Sequence, residues 1–305
     1  MTGALGEPVY VAGVKVSSPR RVLFEELALT KEALARYYES VADWMLPDLR
    51  NRPLSLLRCP QGPGEGCFYQ KHIDSAWSAE IGRASIAEAD GEGTYAVANS
   101  AAAVVALVQK GVIELHATGS TTRDLARPDR MVFDLDPDPL VAWRDVMAAA
   151  RLTRDRLEDI GLESFVKTTG GKGLHVVVPL APRHDWNEVK AFSRAVAESM
   201  AAEEPRRFTS KMAKKERTRR IFIDYLRNSP GATAVAAYSV RAREGAPVAT
   251  PLHWDEVAGR MRPSQFHAAN VVRRVQGLLS DPWKTFRRTA QTLTAAMKRK
   301  AGVAT

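Results

Sequence analysis

The segment Met131-Val132-Phe133-Asp134-Leu135-Asp136 alternates strictly and runs straight into Pro137 and Pro139. Successive side chains of a strand point to opposite faces. Met131, Phe133 and Leu135 therefore share one face, and Val132, Asp134 and Asp136 share the other. Proline cannot donate to a ladder, so the strand ends where the prolines begin. Two carboxylates at i and i+2 lie roughly 7 Å apart along the chain. That spacing lets both reach one divalent ion, or bracket a pair about 3.5–4 Å apart. A polar sheet face that ends in a turn, with Asp138 in the turn, is the plainer alternative.

The elements around this strand are mixed. Thr30 is expected to cap a helix from Lys31 to about Leu46, with Leu34, Tyr37, Tyr38, Val41, Trp44 and Met45 on one face. Pro53 to Leu57 and Cys67 to Lys71 read as strands either side of a Pro- and Gly-rich loop, and Asp90-Gly91-Glu92-Gly93 marks a turn. A small-residue helix from Ser100 to Lys110, ended by Gly111, precedes a strand from Val112 to His116. Further helices are expected from about Leu140 to Ile160, Asn187 to Ala202, Pro263 to Leu279 and Trp283 to Lys300. Further strands are expected at Ser164 to Lys167, Leu174 to Leu180 and Ile221 to Leu226. Such interspersion without strict alternation predicts an α+β fold on mixed or antiparallel sheets. No repeat or low-complexity linker divides the 305 residues, so a single domain is expected, with a core at about 18–283 and a basic C-terminal helix at about 283–300.

Composition narrows the class. No apolar run reaches the ~18 residues of a membrane helix, and 1–10 lacks the pattern of a secretory signal. A cytoplasmic protein is expected, and its two cysteines, Cys59 and Cys67, are expected to be reduced, with no zinc. The net charge is +9, and eight basic residues crowd between Arg206 and Arg220. They form either a solvated face or a set of phosphate contacts.

Three further features bear on chemistry. Asp224 is a lone carboxylate in the apolar run Ile221-Phe222-Ile223-Asp224. Unpaired burial would be expensive, so it pairs with a nearby arginine or joins Asp134 and Asp136 on a metal. Thr168-Thr169-Gly170-Gly171-Lys172-Gly173-Leu174-His175 joins two strands. Its glycines let backbone amides approach an anion and Lys172 adds a charge, although a plain hairpin turn has the same composition and His175 alone fits a core edge. Phe68 and Tyr69 beside Gln70-Lys71-His72 suggest a platform on which bases stack, or simply core aromatics, and His116 is equally open.

Taken in order, these blocks resemble the polymerase domain of the bacterial ATP-dependent DNA ligase D family, in the archaeo-eukaryotic primase superfamily. The markers are Leu29-Thr30-Lys31 before Tyr37-Tyr38, Phe68-Tyr69-Gln70-Lys71-His72, Glu114-Leu115-His116, Phe133-Asp134-Leu135-Asp136-Pro137, Gly170-Gly171-Lys172-Gly173-Leu174-His175, Asp224-Tyr225-Leu226-Arg227-Asn228 and Ser239-Val240-Arg241-Ala242-Arg243. The resemblance implies a primase-type catalytic core in which Asp134, Asp136 and Asp224 hold two divalent ions, manganese favoured and magnesium possible. It implies that Thr169, Lys172, His175 and Arg241 bind a nucleoside triphosphate, that Phe68 stacks on its base, and that His116 lies by its sugar. Arg21 and Lys31 match positions that grip a DNA 5′-phosphate. The implied activity is template-directed extension of a DNA primer at gaps or broken ends, with ribonucleotides preferred, near the bacterial nucleoid. A separate DNA ligase and Ku are the implied partners. Thr169, Tyr69, Thr118 and Glu25 depart from the family's usual serine, phenylalanine, tryptophan and proline. None removes a carboxylate, so an active enzyme is expected, with nucleotide choice the property in question.

No Lys-x-Asp-Gly ligase nucleophile is present, and together with Met1 and the basic C-terminus this suggests a stand-alone polymerase. Two competing readings differ in what they need. A manganese-dependent Asp-x-Asp glycosyltransferase has no use for Asp224 or the basic cluster. A non-catalytic gap-binding module would tolerate loss of the carboxylates.

Overall fold

The computed structural model describes residues 8–303, apart from 65, 89, 90 and 260. Two six-stranded sheets dominate. Sixteen strands are numbered here in chain order among the described residues. Two short hairpins open the chain, β1 (Val9–Val11) with β2 (Val14–Val16) and β3 (Val22–Phe24) with β4 (Leu29–Thr30).

The first large sheet has the order β13 (Phe208–Thr209), β14 (Ile221–Asp224), β10 (Arg130–Pro137), β12 (Leu174–Pro179), β11 (Phe165–Thr168), β16 (Pro251–Leu252). All neighbours are antiparallel except β13 and β14. The strand expected from alternation is its centre. Met131, Phe133 and Leu135 are fully buried with Leu174, Val176 and Val178, and helices α4 (Trp143–Ile160) and α5 (Trp186–Glu203) cover that face. The amphipathic stripe of α4 supplies Val146, Ala149, Ala150 and Leu157; the Asp185 capping box starts α5.

The second sheet has the order β15 (Thr233–Val235), β9 (Val112–Thr118), β5 (Leu54–Arg58), β8 (Gly91–Val97), β7 (Gly82–Glu88), with β6 (Phe68–Gln70) also paired to β5. Helices α1 (Lys31–Ser40), α2 (Ala42–Leu49) and α3 (Ala101–Gln109) belong to its side of the molecule, and α1 packs on α3 and on α6 (Ala268–Gly277).

Several expectations need correction. The helix expected from Lys31 to Leu46 is two helices that meet at Val41. The Thr30 cap is present, its hydroxyl accepting the Ala33 N–H at 3.1 Å. At the other end the Ser40 hydroxyl bonds back to the Arg36 carbonyl, which competes with helix continuation. The C-terminal helix is only α7 (Ala295–Lys300), capped by Thr294. Before it, Trp283 and Phe286 stack at 4.7 Å and bury themselves against Phe165, Val132 and Val177. Packing of large aromatics thus overrides helix propensity there. The helix expected from Pro263 starts only at Ala268. The turn expected at 90–93 falls partly outside the described residues, and Gly91 to Gly93 already belong to β8.

Cys59 and Cys67 form a disulfide rather than two thiols. The pairing of β5 with β6 explains it. Arg58 lies opposite Phe68, so the next residue outward on each strand brings the cysteines together. Their separation of eight looks unrelated in the sequence, but antiparallel pairing makes them neighbours.

Candidate active site

The first sheet arranges four functional side chains in one row. Lys167 stands opposite His175, His175 opposite Asp134, and Asp134 opposite Asp224. Directly opposed residues share a face, so the Asp134/Asp136 face gains the third carboxylate that the sequence left open. Arg227 bridges two of the acids, Nη2 lying 3.1 Å from Asp134 and Nε 3.4 Å from Asp224. Arg217 Nη1 lies 3.1 Å from Asp136, and Lys172 Nζ lies 3.6 Å from it.

Burial opposes the charge on Asp134, but His175 and Arg227 outweigh burial and hold its carboxyl below the ordinary range. Asp224 moves the other way. Burial and the negative charge of Asp134 raise it, and Arg227 compensates only in part. Asp224 is therefore the acid left short of positive charge. Hard carboxylate oxygens suit magnesium or manganese, so this donor set fits a divalent ion. Among the described residues no three His, Cys, Asp or Glu side chains are grouped as a metal site would need; Arg217, Arg227 and Lys172 lie against the carboxylates instead.

Opposite the row, a cleft of about 490 Å³ opens between the two sheets. Asp134, Asp136, Thr169, Lys172 and His175 line it from the first sheet, and His116 and Tyr69 from the second. The β11–β12 turn is built around its glycines. A Cβ on Gly173 would meet the Leu135 carbonyl oxygen at 2.5 Å, and Gly170 has φ +64° with Arg241 packed against it. The Thr169 hydroxyl donates to the Gly173 carbonyl at 3.1 Å and accepts the Gly171 N–H at 3.3 Å. Thr169 thus shapes the turn as well as facing the cleft.

Glu114 ties the sheets together at this point. It accepts from Arg241 Nε at 2.8 Å and lies 2.8 Å from His116 Nε2, while Arg241 Nη1 donates to the Thr169 carbonyl. Burial, then the nearby cations Arg241 and Lys167, lower the pKa of His116 against the pull of Glu114.

The aromatic pair divides between two faces. Phe68 and Tyr69 are adjacent on β6 and so face opposite ways. Tyr69, 60% exposed, lines the cleft and meets His116 edge-on at 5.4 Å. Phe68 is on the other face, with the Arg58 guanidinium 5.4 Å from its ring centre.

Arg21 and Lys31 meet in a separate pocket of about 250 Å³, with Arg58 and Lys110 on its wall. Arg21 donates to the Pro60 carbonyl at 2.7 Å and Lys31 to the Gln109 carbonyl at 3.1 Å. Burial, assisted by Arg21, pushes the Lys31 ammonium down to about 8. Sequence reasoning missed Arg217, Arg227 and Lys167. Arg217 lies in the basic cluster read as phosphate contacts, Arg227 follows Asp224 in a motif whose acid drew attention, and Lys167 sits in a strand that reads as ordinary core.

Comparison with known proteins places this geometry. Residues 30–283 match the family model described as LigD, primase-polymerase domain. The multifunctional non-homologous end joining protein LigD of Pseudomonas aeruginosa is 41% identical over 292 residues, 95% of this chain and 35% of that protein. The bifunctional non-homologous end joining protein LigD of Bacillus subtilis is 28% identical over 264 residues, 86% of this chain and 42% of that protein. The polymerase domain of Mycobacterium tuberculosis ligase D, solved in complex with DNA, superposes with a TM-score of 0.81 at 28% identity, covering 96% of this chain and 99% of that one. The chain thus spans about a third of the Pseudomonas protein and nearly all of the solved polymerase domain. It belongs to the LigD primase-polymerase domain family.

Proposed function

We propose that the chain is a template-directed polymerase that extends a DNA primer at gaps or broken ends, as part of end-joining repair. The observation that carries this reading is the cross-strand row that sets Asp224 beside Asp134, where Asp134 and Asp136 line a cleft faced by Thr169, Lys172 and His175. A glycosyltransferase needs only the Asp134/Asp136 pair and leaves that third acid idle. A non-catalytic gap binder leaves all three idle.

In this reading Asp134, Asp136 and Asp224 hold two divalent ions, manganese preferred. Bound there, such ions lower the pKa of the primer 3′-hydroxyl and stabilise the pyrophosphate leaving group. Lys172 and the turn amides bind the triphosphate, with Thr169, His175 and Arg241 around it. Tyr69 offers the stacking surface first sought at Phe68, and His116, fixed by Glu114, borders the sugar. Arg21 and Lys31 hold the 5′-phosphate of the downstream strand. A preference for ribonucleotides, a ligase and Ku as partners, and action at the cytoplasmic nucleoid complete the proposal. Among the described residues no helix is long and apolar enough to cross a membrane.

Primer extension with and without manganese tests the reading. Asp134→Ala or Asp136→Ala should abolish extension and leave DNA binding largely intact. Extension by either variant at near wild-type rate would refute it.

A further inference from the structure

Adjoining the cleft, with His175 and Arg227 common to both, lies a much smaller cavity of about 20 Å³. Lys167, Asp48 and Arg130 add polar groups to the small cavity, and Val177 and Trp283 make part of its apolar wall. One water needs roughly 10–15 Å³ measured in this way, and at least two polar partners.

Two partners are at hand. Lys167 Nζ and His175 Nδ1 are buried and make no hydrogen bond within the protein, and both residues are 3% exposed. They are directly opposed on β11 and β12, so their side chains stand next to each other on one face. The one acid on the cavity wall, Asp48, is already engaged: one carboxylate oxygen takes Arg130 and the other takes the Ala237 N–H. Burial pushes the Lys167 ammonium down to about 7, with Arg241 and Arg130 adding to the effect and Asp48 and Asp134 opposing it. A buried polar atom left without a partner loses its hydration for nothing in return.

Below about pH 7 the lysine is charged and only donates. A water that accepts from Lys167 has its own hydrogens free, and one of them can go to His175 Nδ1. Nδ1 is then an acceptor, so a neutral imidazole must carry its hydrogen on Nε2. Nε2 lies 3.4 Å from Asp134 Oδ1, beside the cleft. With the hydrogen on Nδ1 instead, the Nε2 lone pair would face carboxylate oxygen.

We propose that Lys167 is a positioning residue which, through one water in this cavity, fixes His175 as the Nε2–H tautomer, so that the ring presents a donor to the cleft. The consequence for nucleotide binding rests on the proposed contact of His175 with the triphosphate; the tautomer itself does not.

Long-range ¹H–¹⁵N spectra of the histidine-labelled protein test it, with His175 assigned by the signals lost in His175→Gln. At pH 6 the wild type should show Nε2–H, and Lys167→Met should shift His175 towards Nδ1–H. Lys167→Met should also raise KM for the nucleoside triphosphate roughly tenfold or more, the worth of one hydrogen bond to a charged group, with a smaller effect on kcat. Nδ1–H or imidazolium in the wild type, or an unchanged His175 pattern in Lys167→Met, would overturn the proposal. If Lys167→Met does not fold, the wild-type tautomer alone still decides. A tautomer shift with KM unchanged would uphold the role of Lys167 and refute the triphosphate contact of His175.

Discussion

Lys31→Ala offers a test of the phosphate pocket whose size follows from the structure. Lys31 is largely buried beside Arg21, and its ammonium ionises at about 8 instead of in the usual lysine range. The pKa is lowered on folding, so the charge is present below pH 8 and lost above it. A phosphate that needs the ammonium must restore the proton on binding. The free protein carries that proton in about nine-tenths of molecules at pH 7 and about one-tenth at pH 9, so phosphate-dependent binding should weaken about tenfold between them. The phosphate itself titrates near pH 6 and stays dianionic over this window. Affinity for a one-nucleotide gap with and without the 5′-phosphate, measured by fluorescence anisotropy from pH 7 to 9, gives the ratio directly. Lys31→Ala should remove both the phosphate advantage and its pH dependence, and flatten the log–log salt slope by about 0.7–0.9. Lys31→Arg should keep the advantage and lose the pH dependence. Equal weakening of Lys31→Ala on both gaps, or a wild-type ratio flat across this range, would refute the reasoning.

Thr169→Ser should keep activity within a few-fold, whereas Thr169→Val should lose roughly 10- to 100-fold in kcat/KM, the worth of one hydrogen bond to a charged group, if the hydroxyl turns from the Gly173 carbonyl to a phosphate oxygen on nucleotide binding. Equal kinetics for the two variants would leave the hydroxyl with no role at the triphosphate, and equal melting temperatures would show that the turn survives in both. Replacing Cys59 by Ser opens the disulfide-closed loop and should cost about 2–3 kcal/mol; reductant should lower wild-type stability in urea by the same amount and leave the variant unmoved. Gly173→Ala drives a methyl group into the Leu135 carbonyl, 2.5 Å away. It should destabilise by about 1–3 kcal/mol, read by thermal unfolding, and a neutral result would mean that the turn and β10 separate easily.

What the sequence revealed was the part governed by local pattern. The alternation of 131–136 gave the central strand and the face of its acids, and the motif order pointed to the family that residues 30–283 match. The placement of Asp224 needed the register between β10 and β14, which no local pattern encodes. The disulfide was hidden for the same reason, since only the β5–β6 pairing brings positions eight apart together. Which of Phe68 and Tyr69 lines the cleft was not legible, because adjacent residues on a strand are indistinguishable until one face is known to meet the cleft. The C-terminal segment looked helical by spacing, yet Trp283 and Phe286 serve as a lid over Val132, Phe165 and Val177. Hairpins such as β7–β8 carried too few apolar residues to announce themselves.

Strand β5 touches both pockets. Ser55 borders the cleft, and Arg58, with Cys59 just beyond it, borders the pocket of Arg21 and Lys31. Three residues of extended backbone, roughly 10 Å, separate the two contacts. The strand is hydrogen-bonded to β9 and β6, and the disulfide closes its outer end. Under the proposed function, a nucleic acid held at both places would meet two contacts whose spacing the strand fixes.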